Sequence, residues 1–241
     1  MQFLNSDINK YPLEFMSTNW ILTVTCVIVL IFIVLYIGYK LPASKKVKYA
    51  KFLAALMIGF FIINHSLLFF LGKWEISKEL PVHLCSISGL ICCFIMFIPK
   101  NKRQFLFEFL FYCGIIGGVQ AIFTPLIDDY GGYNFFYIQF FFKHAMIIAF
   151  PIYLRNNLGM KLTRFSWLKT WVVLNIFMFI LIPLNNFLGS NYMYVNVPPA
   201  VDNPMVIGEW PTYLYWWELF VLILILLVFV IGKPKTFEKA N

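Results

Sequence analysis

Apolar residues occur along this chain in long runs separated by short polar segments. Each run is about twenty residues long, which is enough for an α-helix to cross about 30 Å of hydrocarbon. The pattern predicts an all-α fold, a polytopic bundle of seven transmembrane helices in one integral membrane domain of residues 1–241. The predicted spans cover residues 20–39, 52–71, 80–99, 104–124, 134–154, 166–188 and 213–231.

The loops between the spans differ in charge in a regular way. Basic loops follow the first, third, fifth and seventh spans, whereas the other loops are neutral or acidic. Under the positive-inside rule, this alternation predicts an N-terminus outside and a C-terminus in the cytoplasm of a cell membrane. In the fourth span, Gly114 and Gly118 form a small-xxx-small pair that predicts close contact with another helix.

Composition supports the membrane assignment and excludes several functions. Hydrophobic residues make up 61% of the chain and charged residues 12%, and the mean hydropathy of +0.78 is untypical of a soluble domain. The net charge of +8 comes mostly from loops beside the spans, so we expect no nucleic-acid partner. Five cysteines inside predicted spans argue against a disulfide framework. Dispersed histidines make a poor zinc site, and we expect no metal and no cofactor.

The most polar stretch within any span lies near the outer end of the third. It reads Pro81-Val82-His83-Leu84-Cys85-Ser86-Ile87-Ser88 and places imidazole, thiol and hydroxyl groups inside the membrane. Polar groups in hydrocarbon are costly and are therefore candidate functional groups. With a helix beginning at Pro81, Cys85 would lie slightly beyond the strongest part of the helix dipole.

Further polar residues of other spans fall at a similar depth. The ones in the outer half or at the midplane are His65, Gln120, Thr124, Lys143, His144, Asn185, Asn186 and Glu218. A mid-helix lysine costs about 2.5–3.5 kcal/mol, so we expect Lys143 to pair with Glu218, the one acidic residue in the outer half of a span. In the inner half, we expect Glu108 to snorkel to the cytoplasmic face.

Cys85 becomes a nucleophile only if its environment favours the thiolate. On a helix, His83 and Cys85 would point about 200° apart, so the base should come from another span. His65 and His144 are the candidates, and His65 is better matched in depth.

The ordered set of motifs resembles a known family. Leu80-Pro81-x-His83-Leu84-Cys85, then Gly118-x-Gln120-x-x-x-Thr124-Pro125, and then His144 resemble the bacterial YwaF-like membrane proteins. These are related to the eukaryotic transmembrane protein 164 family, whose members look like acyltransferases acting between glycerophospholipids. The resemblance implies that Cys85 accepts the acyl group, with His144 or His83 as its base.

Two functions from different classes follow. The first is an enzyme that transfers or hydrolyses acyl chains of membrane phospholipids or lysophospholipids in the outer leaflet, with Gln120, Thr124 or Lys143 stabilising the oxyanion. His65 and Glu218 complete its predicted substrate-binding set. The alternative is a transporter, a channel or a small-ligand-binding protein with an outward-facing polar pocket.

Overall fold

The structure is a computed structural model that describes residues 13–125, 127, 134–199 and 206–236. Within these residues all regular secondary structure is helical, which confirms the all-α prediction. The α-helices are α1 (Thr18–Lys40), α2 (Ala43–Phe70), α3 (Ile76–Glu79), α4 (Leu84–Phe94), α5 (Gln104–Phe109), α6 (Ile115–Phe123), α7 (Asn134–Leu158), α8 (Ser166–Leu188) and α9 (Thr212–Gly232).

Six helices of the described ranges are long and apolar enough to cross a membrane. They are α1, α2, α7, α8, α9 and the continuous helix Gln104–Phe123, in which a π-helical turn, Leu110–Gly114, joins α5 to α6. These six correspond to six of the seven predicted spans, so the chain is a multi-pass membrane protein. The direction in which the chain crosses the membrane stays a prediction.

The third predicted span, residues 80–99, is much shorter in the structure. Only Leu84–Phe94 is α-helical there, with turns on both sides, and a helix of that length is about 16 Å long. On the N-terminal side the reason is Pro81, because the residue before a proline is driven out of the α-helical region. Leu80 accordingly has an extended ψ of 134°. Cys85 therefore lies in the first turn of α4 rather than beyond it.

Glu108 does not snorkel, contrary to the expectation from sequence. Its side chain is fully buried and accepts a hydrogen bond of 2.9 Å from Gln104 Nε2, one turn earlier. The neighbouring Phe107 and Phe109 are buried as well, so this helix is covered on all sides at that depth. The hydrogen bond from Gln104 lowers the cost of burying the Glu108 carboxyl group.

The chain groups into two compact units. Unit 1 comprises Met1–Trp74 and Leu84–Met160, and unit 2 comprises Glu75–His83 and Lys161–Asn241. The single domain expected from sequence stays a prediction.

Helix α7 is the centre of unit 1, where it packs against α1, α2, α4 and α6. The close approach of α6 depends on small residues, as predicted. A Cβ on Gly114 would lie 2.5 Å from the Ile147 carbonyl oxygen, and one on Gly118 would lie 2.6 Å from Ile148 Cγ1. The buried part of α7 therefore contacts each of these neighbouring helices and fixes how closely α6 approaches.

In unit 2, α8 packs against α9 and against the short α3. Helix α8 ends at Leu188 and is followed by Gly189, whose φ of 63° suits the left-handed position that glycine favours at a helix C-terminus. The chain that follows is held by Asn185, which is fully buried. Its amide donates to the Tyr192 carbonyl and to Asn196 Oδ1, and its Oδ1 accepts from Ser190 and from the Tyr192 N–H. Asn185 is thus a structural residue.

Candidate active site

Cys85 is the second residue of α4 and is half-buried. Its sulfur faces α6, because a Cβ on Gly117 would lie 3.0 Å from Cys85 Sγ. Glycine at position 117 therefore leaves room beside the thiol that any larger residue would occupy. In the first helical turn, unpaired N–H groups and the helix dipole favour negative charge, which opposes the cost of burying a thiolate.

Lys143 of α7 lies along the face of α4 that carries the thiol. A Cβ on Gly89 would be 3.8 Å from both Cγ and Cδ of Lys143, and Gly89 follows Cys85 by one turn on the same face. The Lys143 ammonium interacts electrostatically with the Cys85 thiol and with the rings of His65 and His144. Lys143 is thus the common electrostatic neighbour of Cys85, His65 and His144, and these four residues of unit 1 are called the cluster around Cys85 below.

His144 follows Lys143 directly and is 3% exposed. Its Nδ1 is 2.6 Å from the Phe140 carbonyl oxygen. A carbonyl oxygen only accepts, so Nδ1 donates and, in the neutral ring, Nε2 carries the lone pair. That is the tautomer that a general base requires.

His65 has the opposite arrangement. The Trp74 indole N–H donates to His65 Nδ1 at 3.1 Å, so in the neutral ring Nε2 carries the proton. His65 can therefore donate a hydrogen bond to a ligand, but its accepting nitrogen is already occupied. This favours His144 over His65 as the base, although His65 is the better match in depth.

His83 is part of unit 2 and contributes to its packing. Its Nδ1 accepts a hydrogen bond of 3.2 Å from the Met193 N–H, and its ring contacts those of Tyr192 and Tyr194. Met193 and Tyr194 have φ values of 55° and 54°, a strained region for residues other than glycine. His83 therefore stabilises a strained loop, and its Nδ1 is engaged in doing so.

Tyr192 connects the same loop to the segment before His83. Its hydroxyl accepts from the Leu80 N–H at 3.0 Å and donates to the Ile76 carbonyl. Burial raises the pKa of the Tyr192 phenol, and the Glu79 carboxylate adds to the effect, although the Leu80 N–H opposes it.

Gln120 and Thr124 are exposed at the end of α6. Thr124 donates its hydroxyl to the Gln120 carbonyl oxygen at 2.8 Å, which closes the last turn of the helix. Both residues follow Gly117, which faces the thiol, but no described contact joins their side chains to Cys85. Their oxyanion role stays a prediction.

Glu218 of α9 is half-buried and accepts a hydrogen bond of 2.8 Å from Asn175 Nδ2 of α8. Asn175 also donates to the Trp171 carbonyl oxygen, so it is fixed in place. Asn175 was not predicted from sequence as the partner of this carboxylate. Lys143 belongs to unit 1 and Glu218 to unit 2, and their pairing stays a prediction.

Two residues near the thiol were not predicted as site residues. Ser88 is fully buried one turn after Cys85, and its hydroxyl has no hydrogen-bond partner among the described residues. Cys113 is 1% exposed and interacts electrostatically with Cys85. The sequence signal for Ser88 was its i+3 spacing from Cys85, which places it on a nearby face of the helix.

The remaining cysteines are all free thiols. Cys92, Cys93 and Cys113 are buried, whereas Cys26 is exposed on α1. A lipid-soluble alkylating reagent therefore has two reachable thiols, Cys26 and Cys85.

The model of one protein family, the TMEM164 family, matches residues 15–229. The chain belongs to the TMEM164 family. The match extends from before α1 to near the end of α9, so it includes every residue of the cluster around Cys85. No match was found among curated proteins or among solved structures.

For this member of the TMEM164 family, the described residues contain no group of three or more His, Cys, Asp or Glu side chains able to hold a metal ion. The chemical groups that the site does offer are a thiol, an ammonium, an imidazole with a free lone pair and a buried hydroxyl. Together these suit nucleophilic chemistry at a carbonyl group.

Proposed function

We propose that the protein is a lipid acyltransferase, or an acyl hydrolase, that acts on glycerophospholipids of the cell membrane through a thioester on Cys85. The observation that carries the proposal is the position of Lys143 along the thiol face of α4. A neighbouring ammonium stabilises a thiolate relative to a site that lacks one. A lysine at this depth is expensive, and assistance to the thiol gives it a function.

The first half of the reaction is attack on a phospholipid ester. His144 Nε2 takes the proton from Cys85 Sγ, and the sulfur forms a bond to the acyl carbonyl carbon. The tetrahedral oxyanion collapses, the bond from carbon to the glycerol oxygen breaks, and His144 returns its proton to that oxygen. The products are a lysophospholipid and an acyl thioester on Cys85.

The second half restores the thiol. A lysophospholipid hydroxyl attacks the thioester carbon while His144 accepts its proton, and the bond from carbon to sulfur then breaks. The proton returns to the sulfur, so that the site is ready for another cycle. Water in place of the lysophospholipid gives a free fatty acid, which is the hydrolase version of the same chemistry.

The oxyanion needs donors that do not have to reorganise during the reaction. Lys143 and Ser88 are proposed for this role, Ser88 because its buried hydroxyl lacks a partner and is costly to leave unpaired. Gln120 and Thr124 are exposed and are proposed to contact the substrate. His65, which carries its proton on Nε2, is proposed to donate to an ester or phosphate oxygen.

The test uses the full chain in phosphatidylcholine vesicles that contain a lysophospholipid and a phospholipid with an isotopically labelled acyl chain. We expect movement of the label to the lysophospholipid, and a Cys85 adduct that is released by hydroxylamine, as a thioester is. Cys85→Ala should abolish both, whereas Cys92→Ala, which replaces a buried cysteine about two turns further along the same helix, should preserve both. Full transfer by Cys85→Ala would reject covalent catalysis.

The choice of base is tested with the same vesicles. His144→Ala should lower the rate of adduct formation by about 100-fold or more, the usual contribution of a general base. His65→Ala should chiefly raise the substrate concentration needed for half-maximal rate. The assignment of His144 would be wrong if its variant formed the adduct at the wild-type rate.

One observation favours the alternative, a transporter, channel or ligand-binding protein. Glu108 is a buried carboxylate nine residues before Gly117, the glycine that faces Cys85, and intramembrane carboxylates are frequent in ion pathways. If this alternative holds, Glu108→Gln should abolish solute flux into the vesicles while Cys85→Ala has no effect.

A further inference from the structure

The corner between α1 and α2 carries a dense group of positive charges. We define the basic corner as Lys40, Lys45, Lys46, Lys48 and Lys51. Lys46 is half-buried and the other four are exposed. The sequence contains no acidic residue between Glu14 and Glu75, so no carboxylate near these positions in the chain neutralises the corner.

The length of α2 places part of the corner outside the hydrocarbon. The helix has 28 residues and is therefore about 42 Å long, against about 30 Å of hydrocarbon. To fit the whole of α2 within the hydrocarbon, the helix would have to tilt by about 44°, which is more than transmembrane helices usually tilt. The apolar part begins at Phe52, so the first turns of α2 project into the headgroup region.

The projecting turns have one face suited to a phospholipid. Lys45, Lys48 and Phe52 follow one another at i, i+3 and i+7, which places them along one side of the helix. All three are exposed, Phe52 by 59%. From Lys48 to Phe52 the rise is about 6 Å, so the ammonium groups lie at headgroup level when the phenyl ring lies among acyl chains.

The corner is also held rigidly, which a loop with the same charge would not be. The Tyr153 hydroxyl of α7 donates to the Lys46 carbonyl at 2.8 Å. The Tyr153 ring fills the space at Gly38 of α1, where a Cβ would lie 2.2 Å from Cε2. Tyr49 of α2 donates its hydroxyl to the Val34 carbonyl of α1 at 3.2 Å. A ligand that binds at the corner therefore loses little free energy to ordering of the backbone.

We infer that the basic corner is a binding surface for anionic phospholipids of the adjoining leaflet. Lys45 and Lys48 contact the phosphate of the headgroup, and Phe52 packs against the acyl chain of the same lipid. The charge rule for loops explains why lysines are at this end of the helices. That rule does not require the lysines to lie on helical turns that are fixed by hydrogen bonds to neighbouring helices and stand next to an exposed phenyl ring. The surface is separate from Cys85 and does not depend on acyl transfer.

The test is native mass spectrometry of the full chain in detergent, with phosphatidylglycerol or phosphatidylcholine of identical acyl chains added at equal concentration. We expect more phosphatidylglycerol adduct than phosphatidylcholine adduct. Each lysine near a lipid surface contributes about five-fold in affinity, so Lys45→Gln/Lys48→Gln should lower the ratio of the two adducts at least five-fold. Lys45→Arg/Lys48→Arg, which keeps the charge, should retain the ratio.

The matched control is Lys100→Gln/Lys102→Gln, which removes two exposed lysines from a turn of the same unit. It should leave the ratio within two-fold of wild type. An equal fall in the control pair would mean that any surface charge suffices, and an unchanged ratio in Lys45→Gln/Lys48→Gln would mean that the corner does not bind the lipid. Either result overturns the inference.

Two further measurements use the unmodified chain. Raising the salt concentration from about 0.01 M to 0.15 M shortens the Debye length from about 30 Å to 8 Å and should reduce the preference for phosphatidylglycerol. A preference that ignores salt would contradict a charge-based surface. Displacement of the lipid by glycerol phosphate at equal concentration would reveal a site for soluble anions and would also overturn the inference.

Discussion

Replacing Gly117 by alanine tests directly whether the space beside the thiol matters. The new methyl group would lie 3.0 Å from Cys85 Sγ, several tenths of an ångström closer than carbon and sulfur atoms normally approach. Either the thiol moves or α6 moves away from α4. In both cases an electrophile loses the room it needs to reach the sulfur.

The magnitude follows from two opposing effects on the folded state. Overpacking of this kind costs about 1–3 kcal/mol, whereas glycine to alanine in a helix gains about 0.8–1.0 kcal/mol. The change in folding stability should therefore be small, between about zero and 2 kcal/mol destabilising. If the whole overpacking cost of about 1–3 kcal/mol also raises the barrier to attack at the sulfur, the reaction slows by about 5- to 160-fold, since 1.36 kcal/mol is a factor of ten.

The assay is the rate of alkylation of Cys85 by a lipid-soluble maleimide, measured by peptide mass spectrometry in a Cys26→Ala background. That background removes the other reachable thiol. Gly59→Ala is the matched control, because a Cβ there meets nothing within 4 Å and the substitution brings the same gain in helix propensity. Gly59→Ala should keep the wild-type labelling rate.

The reasoning would be refuted if Gly117→Ala labelled Cys85 as fast as wild type while the protein stayed folded. It would also be refuted if Gly59→Ala slowed labelling equally, because the slower labelling would then result from the change in helix propensity rather than from crowding of the thiol. Acyl transfer, if the proposed function holds, should fall in parallel with labelling.

Three further predictions concern stability. His83→Ala should lower the free energy of unfolding by about 0.5–1.5 kcal/mol through the lost loop hydrogen bond, while Cys85 is alkylated at near the wild-type rate. Slow alkylation of Cys85 with normal stability would instead support a role for His83 in the chemistry. Ser88→Ala should not destabilise the protein, because it removes an unpaired buried hydroxyl, yet it should slow acyl transfer. Thr170→Val removes another such hydroxyl in unit 2 and should leave the rate of transfer unchanged. Equal losses of transfer in both variants would contradict a special role for Ser88. Asn175→Leu should destabilise by about 1.5–3 kcal/mol, because it leaves the Glu218 carboxylate without its amide donor, and adding Glu218→Leu should recover most of that loss in thermal denaturation.

Hydropathy was sufficient for the long spans, because the length of an apolar run and the thickness of the bilayer are directly related. It was insufficient for residues 80–99, where Pro81 keeps Leu80 out of helical geometry and the helix ends at Phe94, although the chain stays apolar to Ile98. It also missed the first turns of α2, since those turns are helical without being apolar. Backbone effects and helix propensity, rather than hydrophobicity, decide both places.

Some residues of the candidate site were recognisable from the sequence, but their contacts were not. The polar stretch at Cys85 and the expensive Lys143 were both recognisable from the chain. The different protonation of His144 and His65, however, depends on which group each Nδ1 meets: a carbonyl oxygen of its own helix or the Trp74 indole. The role of His83 depends on a loop 110 residues later. Such long-range partners are set by packing, and no local pattern encodes them.

The π-helical turn Leu110–Gly114 changes how insertions and deletions in the fourth span should behave. A π turn holds one residue more than a regular helix needs over the same length, while the helices on both sides keep their facing. A helical wheel drawn straight through Gln104–Phe123 therefore misplaces every later residue by about 100°. Deleting one residue within the turn should restore regular winding and leave Gly117 against Cys85. Deleting Ile115 or Ile116 instead, with the π turn kept, would rotate Gly117 away from the thiol, so one short stretch of this membrane helix can lose a residue and the next cannot.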